Sequence, residues 1–184
     1  VSPYYNRPSQ EGLYQHFEQI ANTTSLPVML YNVPKRTSVN VEPETTIRLS
    51  RLPNVFATKE AHSDLDQITT TITNTTEEFL VYSGDDHMTL PMLSIGGFGV
   101  VSVASHIIGK ELKTMMQAYL DGDVKKAQEM HTQLHPIFKG LFICPNPVLV
   151  KYALSLYGID VGSVRPPLVR AGKQEEQMIT NLLN

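Results

Sequence analysis

The chain alternates short apolar runs with segments of helical spacing, and this alternation constrains its fold more than any other feature. Apolar runs typical of strands buried on both faces are LPVMLY, NVFATK, FLVYSG and GVVSVAS, at residues 26–31, 54–59, 79–84 and 99–105. A single helical segment separates each run from the next. Because parallel strands need a crossover connection, the pattern predicts right-handed βαβ units in a parallel sheet.

Capping residues indicate where the helices begin. Ser9 and Ser63 are predicted N-caps, and Pro43 suits the first turn of the helix between them. After the last apolar run only helices are predicted, with Asn146 as the cap of the third and Pro147 as its first residue. These four helices are predicted at residues 110–120, 124–138, 147–157 and 173–183.

Two α/β architectures fit this alternation of strands and helices, a doubly wound sheet and a closed (β/α)8 TIM barrel. A doubly wound sheet usually has a glycine-rich phosphate loop after its first strand, whereas GGFG at residues 96–99 precedes a strand. The barrel therefore fits better. A full barrel needs eight strands and about 250 residues, and this chain of 184 residues has four strands and the tail of a fifth.

The chain is accordingly predicted to be the second half of a barrel, from the end of strand 4 to helix 8, followed by a C-terminal helical region. The predicted domains are a partial barrel at residues 1–121 and a helical domain at residues 122–184. The first residues, Val1 to Pro3, lead at once into a loop that would normally follow a strand, so the chain is expected to begin within an element.

Composition argues against several classes of partner and cofactor. A net charge of −3 and a pI near 6.1 give no basic surface for nucleic acid, and no apolar run approaches the roughly 20 residues that span a bilayer. The single cysteine, Cys144, excludes an intramolecular disulfide and suits the cytoplasm. His131 and His135 have the spacing of a zinc pair but lack the intervening glutamate. No metal and no organic cofactor is predicted.

The candidate catalytic residues are sought at the ends of the predicted strands, because barrel active sites lie at strand C-termini. Lys59 ends an apolar strand, where a neutral amine can form a Schiff base with a carbonyl substrate. Burial disfavours the charged ammonium and so favours the neutral amine. Tyr31 lies one βα unit earlier, within reach as a proton donor or acceptor, and Arg36 offers a fork suited to a carboxylate.

Several motifs together resemble one family. Six motifs occur in the order and spacing of the dihydrodipicolinate synthase family: PYYNRPSQEGLYQHF, LYNVPKRT, KEA, YSGDD, GGFGVVSV and PNPVLVKYAL. That family is part of the class I pyruvate aldolase and N-acetylneuraminate lyase superfamily. The resemblance runs from end to end of the chain. It implies a lyase that joins pyruvate to L-aspartate 4-semialdehyde and yields 4-hydroxy-tetrahydrodipicolinate, in the diaminopimelate and lysine biosynthesis pathway.

The resemblance also implies roles for residues at matching positions. Lys59 corresponds to the lysine that condenses with pyruvate, after which the imine becomes an enamine that attacks the aldehyde. Tyr31 corresponds to the proton-relay phenol beside it. Tyr5 is similar to the tyrosine that crosses a tight dimer interface to complete the relay in a neighbouring subunit. The implied assembly is a homotetramer, a dimer of dimers.

Three further positions follow from the same resemblance. Arg36 corresponds to the arginine that binds the carboxylate of the semialdehyde and separates this family from related lyases of sialic and 2-keto-3-deoxy sugar acids. Gly84 and Val101 match positions that approach pyruvate through main chain and strand-end packing, although a turn glycine and a core valine explain them equally well.

One element of the family pattern is missing from the chain. The family relay uses a threonine from a Gly-Thr-Thr-Gly-Glu-like loop after the second strand, and no such loop occurs here. We therefore expect the active species to contain the other half of the barrel. Two alternatives stay open, a related pyruvate aldolase acting on a sugar acid and an inactive barrel fragment with a structural role.

Overall fold

The computed structural model of the chain describes residues 1–183, which form four parallel strands and the helices that connect and follow them. The strands are β1 (Val28–Asn32), β2 (Val55–Glu60), β3 (Leu80–Ser83) and β4 (Gly99–Val100). The helices are α1 (Gln10–Asn22), α2 (Pro34–Thr37), α3 (Pro43–Leu49), α4 (Leu65–Thr73), α5 (Thr89–Ser94), α6 (Ser105–Leu120), α7 (Val124–Gly140), α8 (Val148–Leu156) and α9 (Lys173–Leu183). The strands pair in chain order, β1-β2-β3-β4. The predicted α/β class, a partial barrel with a parallel sheet, is confirmed.

The register of β1 against β2 positions the ends of both strands side by side. Tyr31 pairs with Lys59 and Asn32 pairs with Glu60. Because successive side chains of a strand point to opposite faces, Tyr31 and Lys59 share one face and Asn32 and Glu60 share the other. The two pairs therefore lie back to back at the same end of the sheet.

The helix starts follow local capping chemistry, with two corrections to the predicted N-caps. Ser9 caps α1 as predicted, its hydroxyl accepting from the Gly12 N–H at 3.3 Å. The cap of α4 is Asp64 rather than Ser63, because the Asp64 carboxylate accepts from the N–H three residues on. The cap of α8 is Pro147 rather than Asn146, so that helix starts one residue later than predicted.

The last strand is shorter than the apolar run suggests. The run through residue 105 predicted a strand, but β4 ends at Val100. The Ser105 N–H donates to the Ser102 hydroxyl at 2.7 Å and the His106 N–H donates to the Val103 carbonyl at 3.2 Å. These bonds turn the chain into α6 at Ser105, five residues before the predicted start.

The first of two compact units, Val1–Val101, contains the sheet and its own apolar core. Leu13 and Phe17 of α1, Leu30 of β1, Leu49 of α3 and Ile68 of α4 are among its fully or almost fully buried side chains. They fall at the helical and strand spacings that predicted an apolar face on each element. This packing covers the face of the sheet that carries Leu30 and Asn32.

The second compact unit begins at Ser102 and is helical, with α7 and α8 each packed against α9. Among its almost fully buried side chains are Met115, Phe138, Leu149 and Ile179, which lie on four different helices. The two compact units meet between Val101 and Ser102, whereas the predicted domain boundary lies at residue 121. That domain boundary stays a prediction. Within residues 1–183, none of the helices combines the length and apolar character that a membrane crossing requires.

Candidate active site

The centre of the candidate site is the pair formed by Tyr31 and Lys59 at the C-terminal ends of β1 and β2. The Lys59 Nζ lies 4.1 Å from the centre of the Tyr31 ring, over its face. The strands pair these two residues directly, so the backbone ladder sets the contact. A ring face attracts a cation, so this contact alone favours the ammonium form, and burial of the amine acts against it.

The environment of Lys59 favours the neutral amine that a nucleophile needs. Burial is the largest influence and lowers the pKa of the Lys59 amine below the ordinary value for lysine. The carboxylates of Asp85 and Asp86 oppose this and raise that pKa, while the positive charge of Arg36 lowers it. Lys59 is thus a partly buried lysine whose protonation depends on three charged neighbours.

The environment of Tyr31 has the opposite effect on its phenol. Burial is again the largest cause and raises the pKa of Tyr31 above its ordinary value. Arg36 lowers that pKa and Asp85 raises it. The phenol therefore holds its proton at neutral pH and is available to donate it.

Gly84 brings the end of β3 against the lysine. Its N–H donates to the Glu60 carbonyl at 2.7 Å. A Cβ at this position would lie 2.7 Å from the Ala61 Cβ and 3.0 Å from the Lys59 Cε. The absence of a side chain at Gly84 is what allows the Lys59 side chain to lie along this strand end.

The other sequence-predicted residues surround this pair to different degrees. Arg36 lies in α2, just after β1, and is exposed, with its charge acting on both Tyr31 and Lys59. The Val101 N–H donates to the Ser83 carbonyl at 2.9 Å, continuing the sheet, and its side chain is 39% exposed. The Tyr5 side chain is 94% exposed, so within this chain it projects into solvent.

Sequence reasoning missed the buried polar pair behind the lysine. Asn32 and Glu60 are each 1% exposed, and the Asn32 Nδ2 donates to the Glu60 Oε2 at 2.8 Å. A charged residue at a strand end is ordinarily exposed, which hid the role of Glu60. The available signal was strand alternation, since Glu60 shares a face with Thr58 rather than with Lys59.

The charged groups of the site do not form a metal-binding set. Among residues 1–183, no three His, Cys, Asp or Glu side chains are grouped so that they could hold a metal ion. What the arrangement offers is an amine, a phenol and a guanidinium at neighbouring strand ends. Such a set suits covalent chemistry on a carbonyl compound that carries a carboxylate.

The sequence is similar to known proteins over its whole length. The model of the dihydrodipicolinate synthetase family matches residues 1–184. A 4-hydroxy-tetrahydrodipicolinate synthase of Bacillus subtilis (strain 168) is 56% identical over 185 aligned residues, which cover all of this chain and 64% of that protein.

The fold of the chain is also similar to solved structures of dihydrodipicolinate synthases. A dihydrodipicolinate synthase of Bacillus anthracis superposes with a TM-score of 0.97 at 48% identity, over 100% of this chain and 63% of that one. A chloride-inhibited dihydrodipicolinate synthase of Acinetobacter baumannii, complexed with pyruvate, superposes with a TM-score of 0.93 at 34% identity, over 98% of this chain and 62% of that one.

The chain spans between three fifths and two thirds of the length of the relatives it matches. Which part of their length it represents stays a prediction from the order of its motifs. Since the family model matches every residue of the chain, the chain belongs to the dihydrodipicolinate synthetase family.

Proposed function

We propose that the whole protein is a lyase, a 4-hydroxy-tetrahydrodipicolinate synthase that joins pyruvate to L-aspartate 4-semialdehyde through a Schiff base on Lys59. The relatives named 4-hydroxy-tetrahydrodipicolinate synthase support the reaction class. The proposed pathway is diaminopimelate and lysine biosynthesis. The proposed compartment is the cytoplasm, which suits the single free cysteine, Cys144.

The position of Lys59 over the Tyr31 ring is the observation that carries the proposal. The neutral Lys59 amine attacks the keto carbon of pyruvate and, with loss of water, forms an imine. Loss of a proton from the pyruvate methyl group converts the imine to an enamine. The enamine carbon attacks the aldehyde carbon of the semialdehyde, and the aldehyde oxygen takes up a proton. The amino group of the semialdehyde then attacks the imine carbon, which closes the ring and releases the Lys59 amine.

Tyr31 is the proposed proton carrier for these steps. Its partly buried phenol holds a proton at neutral pH, as any tyrosine does, and burial raises its pKa further. Such a group can donate a proton to the hydroxyl that leaves as water when the imine forms. It can also donate a proton to the aldehyde oxygen. We propose that Tyr5 of a second copy completes the relay, within a homotetramer built as a dimer of dimers. The exposure of the Tyr5 ring leaves it accessible to such a partner.

Arg36 is the proposed ligand for the carboxylate of the semialdehyde. It follows β1 directly and its charge reaches both Tyr31 and Lys59. A planar guanidinium can bind a carboxylate through two parallel hydrogen bonds. Gly84 and Val101, at the ends of β3 and β4, are the proposed contacts for pyruvate.

The direct test is turnover by the full-length protein supplied with pyruvate and L-aspartate 4-semialdehyde. Formation of the condensation product, lost in Lys59→Arg, supports the proposal. An unaltered protein that folds but turns over neither this pair nor pyruvate with another aldehyde would favour a structural role. Turnover of a sialic or 2-keto-3-deoxy sugar acid in place of the semialdehyde would move the protein to the related aldolases.

A further inference from the structure

A buried carboxylate lies on the face of β2 opposite Lys59 and plays no part in the chemistry proposed above. Glu60 is 1% exposed and accepts three side-chain hydrogen bonds, each of 2.8 Å. The donors are Asn32 of β1, Thr58 of β2 and His62 in the loop after β2. A buried charge kept in this way is costly unless every partner stays in place.

The hydrogen bonds around His62 determine which group donates. The Asp64 N–H donates to the His62 Nδ1 at 3.2 Å, so this nitrogen is an acceptor. In a neutral imidazole the other nitrogen then carries the proton. The His62 Nε2 accordingly donates to the Glu60 Oε2, and the Gln67 Nε2, which lies 3.1 Å from the same nitrogen, cannot also donate to it in this tautomer. In all three contacts the partner therefore donates to the Glu60 carboxylate.

The carboxylate of Glu60 sets the orientation of the Asn32 amide. The Asn32 Nδ2 donates to Glu60, and the Asn32 Oδ1 accepts from the Val41 N–H at 3.0 Å. The Asn32 Nδ2 also donates to the Asn40 Oδ1 at 2.9 Å and faces the Val41 carbonyl at 3.3 Å. A reversed amide would present its oxygen to the carboxylate and its donor to an N–H. Only the observed orientation satisfies both sides.

The Asn32 amide closes the loop that carries Arg36. The chain leaves β1 at Asn32, forms α2 with Arg36 in its last turn, and returns to the Asn32 side chain at Val41. Within the loop, Ser38 has a φ of 56°, a left-handed conformation that is unfavourable for residues with a side chain. The Thr37 hydroxyl, which contacts the Val33 and Val39 carbonyls, and the closure between Asn32 and Val41 together offset this cost.

We infer that Glu60 is a positioning residue, which orients Asn32 and thereby holds the Arg36 loop in place beside Lys59. This inference rests on the proposed function, since it assigns Arg36 a substrate to bind. Glu60 acts through structure rather than through its charge. The charged groups that influence the Lys59 amine are Asp85, Asp86 and Arg36.

The test separates binding of the semialdehyde from chemistry on pyruvate. In the full-length protein, Glu60→Gln replaces one carboxylate oxygen by an amide donor, so the bonds that Asn32, Thr58 and His62 donate cannot all be kept in their present direction. We expect the KM for L-aspartate 4-semialdehyde to rise roughly tenfold, the size of one lost hydrogen bond to a charged group. The rate at which borohydride traps pyruvate on Lys59 should stay within about twofold of the unaltered rate, because the β1-β2 ladder still holds that residue.

Asn54→Ser provides a matched control at the other end of the same strands. The Asn54 Nδ2 donates to the Ala21 and Thr24 carbonyls, both at 2.9 Å, so its removal costs comparable hydrogen bonds. We expect Asn54→Ser to lower the unfolding temperature without changing the KM for the semialdehyde. Equal KM values in Glu60→Gln and Asn54→Ser would overturn the inference.

A second variant covers the case in which Glu60→Gln does not fold. Asn32→Ser removes the loop closure and leaves Glu60 with the donors of Thr58 and His62. It should raise the KM for the semialdehyde by a similar factor, and an unchanged KM would overturn the inference by itself. Failure of the unaltered protein to trap pyruvate would overturn the proposed function, and this inference with it.

Discussion

The Lys59 Nζ lies 4.1 Å from the centre of the Tyr31 ring, and the parallel register of β1 and β2 pairs the two residues directly. The contact therefore depends on the sheet and not on a mobile loop. The Lys59 amine is also partly buried, and burial lets an amine lose its proton more readily than in solution.

The reaction of the Lys59 amine should depend on pH in a defined direction. Because burial lowers the pKa of Lys59, adduct formation with pyruvate should increase with pH through a midpoint below that of an ordinary lysine. Asp85 raises that pKa, so Asp85→Asn should move the midpoint to lower pH. Asp66→Asn, an exposed acid in the first turn of α4, is the control and should leave the midpoint unchanged. A midpoint that moves upward in Asp85→Asn would contradict this electrostatic account.

The phenol of Tyr31 should matter more than its ring. Tyr31→Phe keeps the ring beneath the amine but removes the proton donor, so turnover should fall by about a hundredfold while the unfolding temperature changes little. Tyr14→Phe is a suitable control, because that phenol bonds to Glu18 on α1. Steady-state rates and thermal unfolding of both variants check the prediction. Comparable rates in the two variants would remove Tyr31 from the proposed relay.

Arg36 should determine affinity for the second substrate. Arg36→Ala should raise the KM for L-aspartate 4-semialdehyde by roughly 10- to 100-fold, the loss expected for hydrogen bonds to a carboxylate. Trapping of pyruvate should be largely unaffected. Arg48→Ala removes an exposed arginine that pairs with Glu11 and should leave both measurements unchanged. An unchanged KM for the semialdehyde in Arg36→Ala would favour the related sugar-acid aldolases.

Gly84 should not tolerate even a methyl group. The added Cβ of Gly84→Ala would lie 2.7 Å from the Ala61 Cβ, so about 1–3 kcal/mol of stability should be lost through overpacking. The nearby Lys59 Cε would also be displaced, and the trapping rate should fall. In Gly109→Ala, within α6, the nearest side-chain atom to the new Cβ would be the Ser105 Cβ at 3.8 Å, so the unfolding free energy should increase by about 0.5–1 kcal/mol. Equal stability of the two variants, measured by denaturant unfolding, would refute the packing argument.

Strand-end residues were predictable from the sequence because the repeated βα units fix their spacing. Tyr31 and Lys59 lie 28 residues apart, one βα unit, and that arithmetic suffices to make them neighbours in a parallel sheet. The extent of the last strand was not predictable in this way. Its apolar run continues to residue 105, but side-chain bonding at Ser102 redirects the backbone into a helix.

The buried pair of Asn32 and Glu60 could not be predicted from residue type. Both residues are polar and lie next to predicted site residues, which made exposure the natural expectation. Their burial results from the packing of β1 and the loop that follows it against β2, in which Glu60 lies 28 residues after Asn32. Strand alternation indicates a face, but only tertiary packing determines whether that face is buried.

The central claim is that the Lys59 amine forms a covalent bond with pyruvate. The most direct measurement is borohydride reduction of the full-length protein in the presence of pyruvate, followed by peptide mapping of the modified residue. We predict a single adduct on Lys59 that is absent from Lys59→Arg. An adduct on a different lysine, or no adduct in protein that is folded, would contradict the account.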